Sequence, residues 1–175
     1  MLPNPKRRPK GLHQLLYLMA FTLSFAATTS WAQQDQSVIS VDPQDAYTLW
    51  RQGAVFIDVF PQAPKPQNLP EDTPWHDIPR ASISGAVWVP NVGFATISDT
   101  YAAYFLQSLS DATNGNLARP IVLFCYEGCG MGHTAAVRAV TWGYLAVHWM
   151  TAGIEGWAAA GFPVADVTLA PGQPS

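Results

Sequence analysis

The chain has 175 residues, of which 49% are hydrophobic, with 9 Lys+Arg against 12 Asp+Glu and a formal net charge of −3. This length suits one compact domain rather than two. The acidic balance excludes nucleic acid as a partner, because binding it requires a surface lined with Lys and Arg to replace the phosphate counterions.

The first 32 residues have the pattern of an export signal. Residues 1–11 carry four of the nine basic residues and no acid, residues 15–25 are an apolar run, and small residues lead to Ala32. This order predicts a secretory signal peptide over residues 1–32, because its apolar core is shorter than the roughly 20 residues that span a bilayer. An uncleaved anchor is the alternative. Cleavage leaves residues 33–175, with five basic and twelve acidic residues and no further membrane span.

The first half of the domain alternates strands with a helix. Residues 38–41 are β-prone, and Asp42 and Pro43 supply an N-cap and first turn for a helix that ends at Gly53. Residues 54–59 form an apolar strand broken only by Asp58. Residues 60–82 contain many prolines and no periodicity, which predicts an irregular insert. Another short strand covers residues 86–89.

The second half repeats the alternation around the most apolar strand of the chain. A helix capped by Ser98 runs to about residue 112, and residues 120–124 form the apolar strand. A helix over residues 134–140, a strand over 144–149 and a short helix before Gly161 follow. The pattern predicts a single α/β domain with a core over residues 38–166 and a central, mostly parallel sheet with helices on both faces.

The segment after the apolar strand is the candidate catalytic site. Cys125 follows the strand directly, at the edge where open parallel sheets bind ligands. Glycines allow the loop to turn its amides inward before a helix begins, which predicts a lowered thiol pKa and a reactive thiolate. Cys125 as a small buried hydrophobe is the alternative reading. Cys129 is a candidate catalytic partner, and the substrate-binding candidates are Tyr126, Glu127, Gly128, Gly130, Met131, Gly132 and His133.

Several landmarks in chain order resemble the rhodanese superfamily of sulfurtransferases. They are residues 57–59, 83–87 with Pro90, 121–125 with Gly128, 143–144, 156–157 and 161–164. Within that superfamily, the chain is most similar to the exported proteins associated with PQQ-dependent catabolism that carry a two-cysteine-tryptophan motif. That similarity covers the proline-rich insert, residues 79–80 and 85–93, the two cysteines, and residues 153–161. Gly130 stands where the motif has its tryptophan.

The resemblance implies a rhodanese-like domain in the periplasm that holds sulfane sulfur as a persulfide on Cys125 or carries out thiol–disulfide exchange. A small sulfur donor or a thiol acceptor would be its partner, and no cofactor is implied. The loop has Glu127 and no Lys or Arg, which disfavours thiosulfate turnover. Met131 stands where a related phosphatase would need an arginine to clamp phosphate.

Two other functions are open from the sequence. Cys125, Cys129, Met131 and His133 are soft or borderline ligands within nine residues, which suits a copper(I)-binding or delivery module. A non-catalytic accessory domain of a periplasmic quinoprotein dehydrogenase system is the third hypothesis, and it rests on the resemblance. Simpler roles predicted for single residues are backbone ordering by Asp58, an exposed or salt-bridged position for Arg138, and a helix N-cap or first-turn position for His133.

Overall fold

The computed structural model describes residues 37–63, 66, 68–72 and 79–174. The predicted signal peptide, residues 1–32, lies outside the described residues, as do residues 64–65, 67 and 73–78 of the predicted insert. The described residues belong to one compact unit, Gln34–Ser175. Within the described ranges, none of the helices has the length and apolar character required to cross a membrane.

A five-stranded parallel sheet forms the centre of the domain, in the strand order β1-β6-β5-β2-β4. An antiparallel ribbon of two strands, β3 and β7, accompanies it. The strands are β1 (Ile39–Val41), β2 (Val55–Asp58), β3 (Arg80–Ile83), β4 (Val87–Trp88), β5 (Ile121–Phe124), β6 (Val147–Met150) and β7 (Val164–Val167). The helices are α1 (Pro43–Arg51), α2 (Asp99–Thr113), α3 (Met131–Thr141) and α4 (Gly153–Ala159).

Both faces of the sheet are covered, which confirms the predicted α/β architecture. Successive side chains of β2 and β5 point to opposite faces of the sheet, so each strand contributes side chains to both hydrophobic cores. Val55, Ile57 and Leu123 lie in the core that includes buried side chains of α2 and α3. Phe56 and Phe124 lie in the core that includes Ala46 of α1 and Trp157 of α4. A strand that is buried on both faces has a continuous run of apolar residues, and β5 is such a strand.

The helix caps predicted for α1 and α2 are confirmed. The Asp42 carboxylate accepts the Asp45 N–H at 2.8 Å, and the Ser98 hydroxyl accepts the Tyr101 N–H at 3.3 Å. Each cap satisfies one of the amide donors that a helix leaves unpaired at its N-terminus. The first turn of each helix is therefore determined locally by the sequence.

The prediction of a wholly irregular segment over residues 60–82 is wrong at its end. Residues 80–83 form β3, which pairs with β7 in the register Arg80↔Val167 to Ile83↔Val164. The two strands are more than 80 residues apart in the sequence, so no local pattern predicts their pairing. Helix α3 also begins at Met131, three residues before the predicted start, since glycines at 130 and 132 obscure the helical pattern.

Candidate active site

Cys125 lies at the carboxyl end of β5, between the ends of its two neighbours in the sheet. Beside it, the Phe124 carbonyl accepts the Val59 N–H from the end of β2 at 3.0 Å. The Cys125 carbonyl accepts the Ile154 N–H of α4 at 3.0 Å. The side chain is buried, with the residue only 1% exposed. The sheet and α4 together therefore hold the backbone of Cys125 in place.

Cys129 lies beside Cys125 and is also a free, buried thiol. Its N–H donates to the Tyr126 carbonyl at 3.1 Å, which folds the loop into a tight turn. Gly128 has φ of 73°, a left-handed conformation that favours glycine at this turn. The two side chains lie close enough for Cys129 to contribute to the raised pKa of Cys125. The predicted catalytic pair is thus brought together in the loop.

The predicted lowering of the Cys125 pKa is wrong for this conformation. Burial raises the pKa of the Cys125 thiol well above its ordinary value, and interaction with the Cys129 side chain raises it further. A backbone hydrogen bond at Tyr126 lowers the pKa, and it is outweighed by these causes. Loss of solvation therefore exceeds the effect of the amides, and the enclosed thiol is protonated at neutral pH.

Helix α4 presses against the loop from one side. The Glu127 N–H donates to a carboxylate oxygen of Glu155 at 2.8 Å. Gly153 has φ of 58°, and a Cβ there would overlap the backbone of Tyr126 and Glu127. The Tyr126 ring is 43% exposed, and its edge contacts Phe60, with 5.9 Å between the ring centroids. The loop thus lies between α4 and the segment after β2.

Asp58, at the end of β2, is the centre of a buried polar cluster behind the loop. Its carboxylate accepts from Arg80 Nε at 2.7 Å, Arg80 Nη2 at 3.1 Å and the Ser82 hydroxyl at 2.6 Å. It also accepts the Phe60 N–H at 2.9 Å, which confirms the predicted backbone role. The Arg80 guanidinium lies 3.9 Å from the centroid of the Phe60 ring. Coulombic repulsion from Asp58 adds to the rise in the Cys125 pKa.

Met131, Gly132 and His133 form the first turn of α3, where the sequence predicted loop for Met131 and Gly132. Met131 packs against Gly93, where a Cβ would overlap it. Gly132 lies under the Trp149 indole, and His133 contacts the same indole edge-on with centroids 4.9 Å apart. These contacts confirm the first-turn position of His133. Gly128 and Gly130 are exposed.

Two of the four candidate copper(I) ligands, Met131 and His133, lie in the first turn of α3. The Cβ and backbone of Met131 pack against Gly93, and the His133 ring contacts the Trp149 indole edge-on. Cys125 and Cys129 lie together in the loop that precedes α3. In the described part of the chain, no group of three or more His, Cys, Asp or Glu side chains is placed to hold a metal ion.

Arg138 anchors the segment after β4 to α3. Its guanidinium donates to the carbonyls of Val92 at 2.6 Å, Phe94 at 3.1 Å and Ala95 at 3.4 Å. Burial lowers the pKa of Arg138. The predicted exposed or salt-bridged position is therefore replaced by a cluster of backbone carbonyls. This contact stabilises the packing of Gly93 on the first turn of α3.

Arg80, Ser82 and Glu155 are the site residues that the sequence did not reveal. The pair at residues 79–80 belonged to the resemblance, but nothing local showed that Arg80 would reach Asp58, 22 positions earlier. Glu155 lies 28 positions after its partner Glu127. Only the packing of α4 and β3 around the strand ends brings these side chains to the site.

No family model and no curated protein matches the chain. Among solved structures, thiosulfate sulfurtransferase from Pseudomonas aeruginosa is similar over 77% of this chain, with 18% identity and a TM-score of 0.48. This chain spans only 21% of that enzyme. A full-length protein from Lactobacillus plantarum has 17% identity over 74% of this chain and 88% of its own, with a TM-score of 0.49. The polysulfide-sulfur transferase homodimer from Wolinella succinogenes has 15% identity over 73% of this chain and 78% of its own, with a TM-score of 0.43. A functional assignment therefore rests on the site itself.

Proposed function

We propose that this protein is a rhodanese-like protein in which Cys125 carries sulfane sulfur and Cys129 is its intramolecular partner. One observation carries the proposal: two free, buried thiols lie together at the carboxyl end of the central parallel strand. A disulfide between residues this close would close a very short loop and stabilise the fold little. Reactivity therefore accounts for the pair better than stability does.

The transfer step uses Cys125 as a nucleophile. Its thiolate attacks the sulfane sulfur of a donor, forms a persulfide S–S bond, and breaks the bond between that sulfur and the rest of the donor, which leaves with the electron pair. An acceptor thiolate then attacks the outer sulfur of the persulfide. The acceptor leaves as a persulfide, and the Cys125 thiolate is regenerated without net oxidation of the protein.

Thiol–disulfide exchange is the second candidate, because Cys129 lies in contact with Cys125. The Cys129 thiolate attacks the Cys125 sulfur of the persulfide and releases hydrosulfide, leaving a disulfide between the two cysteines. The protein is then oxidised by two electrons, and the transferred sulfur is reduced. A thiol reductant restores the pair.

The enclosed thiols must become accessible before either reaction. Cys125 and Cys129 are 1% and 5% exposed, so the conformation described is a closed and protonated one. Gly128 and Gly130 face solvent, because a Cβ at either position would meet nothing within 4 Å. Opening of the loop restores solvent to Cys125 and so relieves the burial that raises its pKa.

The cellular context of the proposal rests on the sequence. We propose export to the periplasm through residues 1–32, and a small sulfur donor or thiol acceptor as partner. The alternative to this catalytic proposal is a non-catalytic accessory domain of a periplasmic quinoprotein dehydrogenase system, and it rests on the resemblance to PQQ-associated proteins.

Mass spectrometry of the intact protein tests the proposal. After exposure to polysulfide and removal of excess reagent, the wild type should gain the mass of one sulfur atom, or lose two hydrogens if the disulfide has formed. Cys129→Ser should keep the added sulfur, because no resolving thiol remains. Cys125→Ser should show neither product. Absence of both products from the wild type and of added sulfur from Cys129→Ser would refute the proposal.

A further inference from the structure

Glu155 places a negative charge directly on the backbone of the cysteine loop. Its carboxylate accepts the Glu127 N–H at 2.8 Å. Loop amides of this kind are the groups that bind an anion in a site built for one. Here one of them is already used by a carboxylate of the protein.

The position of this carboxylate is set by its neighbours on α4. Ile154, the preceding residue, donates its N–H to the Cys125 carbonyl at 3.0 Å. Gly153 contacts the backbone of Tyr126 and Glu127 so closely that a Cβ would not fit. Three successive residues of α4 therefore contact the loop, so the charge of Glu155 is held at a fixed place beside it.

Among the described residues, no Lys or Arg forms an ion pair with a carboxylate of the loop or of α4. Loop residues 125–133 contain Glu127 and no Lys or Arg. The Arg80 guanidinium is engaged in its ion pair with Asp58. Among the residues that the structure describes, neither Glu127 nor Glu155 takes part in an ion pair. An approaching anion would therefore meet two unpaired carboxylates at the loop.

We propose that Glu155 is a specificity-determining residue that slows the reaction of anionic donors at Cys125, and that uncharged disulfides and trisulfides are the preferred substrates. This inference rests on the proposed thiol chemistry of Cys125 and names its substrate class. Thiosulfate, a dianion, is disfavoured by repulsion, whereas an uncharged organic disulfide is not. Glu155 acts on the electrostatic potential at the loop and does not touch the reacting sulfur atoms.

The step is balanced for an uncharged disulfide. The Cys125 thiolate attacks one sulfur, forms a mixed disulfide and releases the first thiolate, which takes up a proton. The Cys129 thiolate then attacks the Cys125 sulfur and releases the second. Two electrons pass from the cysteine pair to the substrate, and the two thiol protons end on the products. A trisulfide gives one thiol and one persulfide in the same way.

Alkylation by two reagents of matched size tests the inference. Iodoacetate carries a negative charge and iodoacetamide does not, and both react with the same thiolate. The rate of each at Cys125 is measured by peptide mass mapping, and the ratio of the two rates removes the contribution of loop opening. Glu155→Gln retains an acceptor for the Glu127 N–H and removes the charge. The ratio should then shift by up to about fivefold toward iodoacetate, because the exposed Glu155 carboxylate no longer repels the anionic reagent as it reaches the loop.

The matched control is Asp111→Asn, which removes the same charge from α2. The end of α2 leads into the amino end of β5, at the opposite edge of the sheet from Cys125. This variant should leave the ratio unchanged, and added salt should shrink the shift seen in Glu155→Gln. An unchanged ratio in Glu155→Gln, or an equal shift in Asp111→Asn, would overturn the inference.

The alkylation ratio is independent of sulfur transfer. A shifted ratio in a protein that forms neither persulfide nor disulfide would refute the proposed function and leave the repulsion of anions by Glu155 standing. Normal persulfide formation with an unchanged ratio would refute the inference about Glu155 and leave the proposed function standing.

Discussion

Replacing Asp58 by asparagine tests the ion pair that lies behind Cys125. Asp58 is fully buried, and the Arg80 side chain is 13% exposed. Asparagine has the same shape and keeps one oxygen acceptor, but it loses the charge that holds Arg80. Its amide also directs hydrogens toward the guanidinium. The substitution therefore leaves a largely buried cation without its partner.

The expected cost follows from the four hydrogen bonds at this carboxylate. Removing one member of a buried ion pair costs about 3–5 kcal/mol, mostly from the charge left behind. Arg80 keeps some contact with solvent, and the oxygen of asparagine can still accept from Phe60 or Ser82. We therefore expect about 3 kcal/mol, a large part of the 5–15 kcal/mol that is typical of a domain.

Urea denaturation followed by tryptophan fluorescence measures this loss, since the chain has 7 tryptophans. The double variant Asp58→Asn with Arg80→Met removes both charges and separates the pair from general damage. Its cost should be smaller than the sum of the two single costs by at least about 1.5 kcal/mol, since no charge is left unpaired. Asp111→Asn, at an exposed aspartate, is the control and should change stability little.

Two results would refute the reasoning about this pair. One is a loss below about 1 kcal/mol for Asp58→Asn, which would mean that Arg80 recovers its solvation without difficulty. The other is simple additivity in the double variant, which would show that the two side chains are not coupled.

The pKa of Cys125 is raised above the ordinary thiol value of 9.0, so the folded state favours the protonated thiol. The resulting stabilisation of the folded state is complete below about pH 9, and above that pH it declines by about 1.4 kcal/mol per pH unit. Between pH 8 and 10.5 the wild type should lose stability more steeply than Cys125→Ser in urea denaturation, and equal slopes would contradict the raised pKa. Gly153→Ala and Gly161→Ala share the strain of a positive φ, but only at Gly153 does the new Cβ overlap another segment, the backbone of Tyr126. Gly153→Ala should therefore lower the free energy of unfolding by about 1–3 kcal/mol more than Gly161→Ala. It should also speed alkylation of Cys125 by iodoacetamide. Equal effects of the two substitutions would show that α4 does not support the loop.

The elements that the sequence predicted well are those with local signals. Helix α1 follows from the cap at Asp42 and the proline after it, and strand β5 from four consecutive apolar residues. Because a strand buried on both faces is apolar throughout, the sequence alone places Cys125 at the end of a central strand. The two neighbours of that strand in the sheet are β2 and β6.

Relations between distant segments could not be read from the chain. The β3–β7 ribbon joins two strands without a continuous apolar run, since β3 is Arg-Ala-Ser-Ile and β7 is Val-Ala-Asp-Val. Its register depends on the packing of two segments that are distant in the sequence. In the same way, the partners of Asp58 and Glu127 come from β3 and α4. Hydrogen bonds between residues more than 20 positions apart leave no periodicity in a single sequence.

The Cys125 thiol shows most clearly which properties follow from local sequence and which depend on tertiary packing. The sequence by itself determined the strand, the glycine-containing loop and the second cysteine, because each depends on local backbone preferences and apolar patterning. Only the tertiary structure decided that the thiol is enclosed and that its pKa is raised. Desolvation depends on every segment that packs around a group, and the local signals of a loop cannot report it.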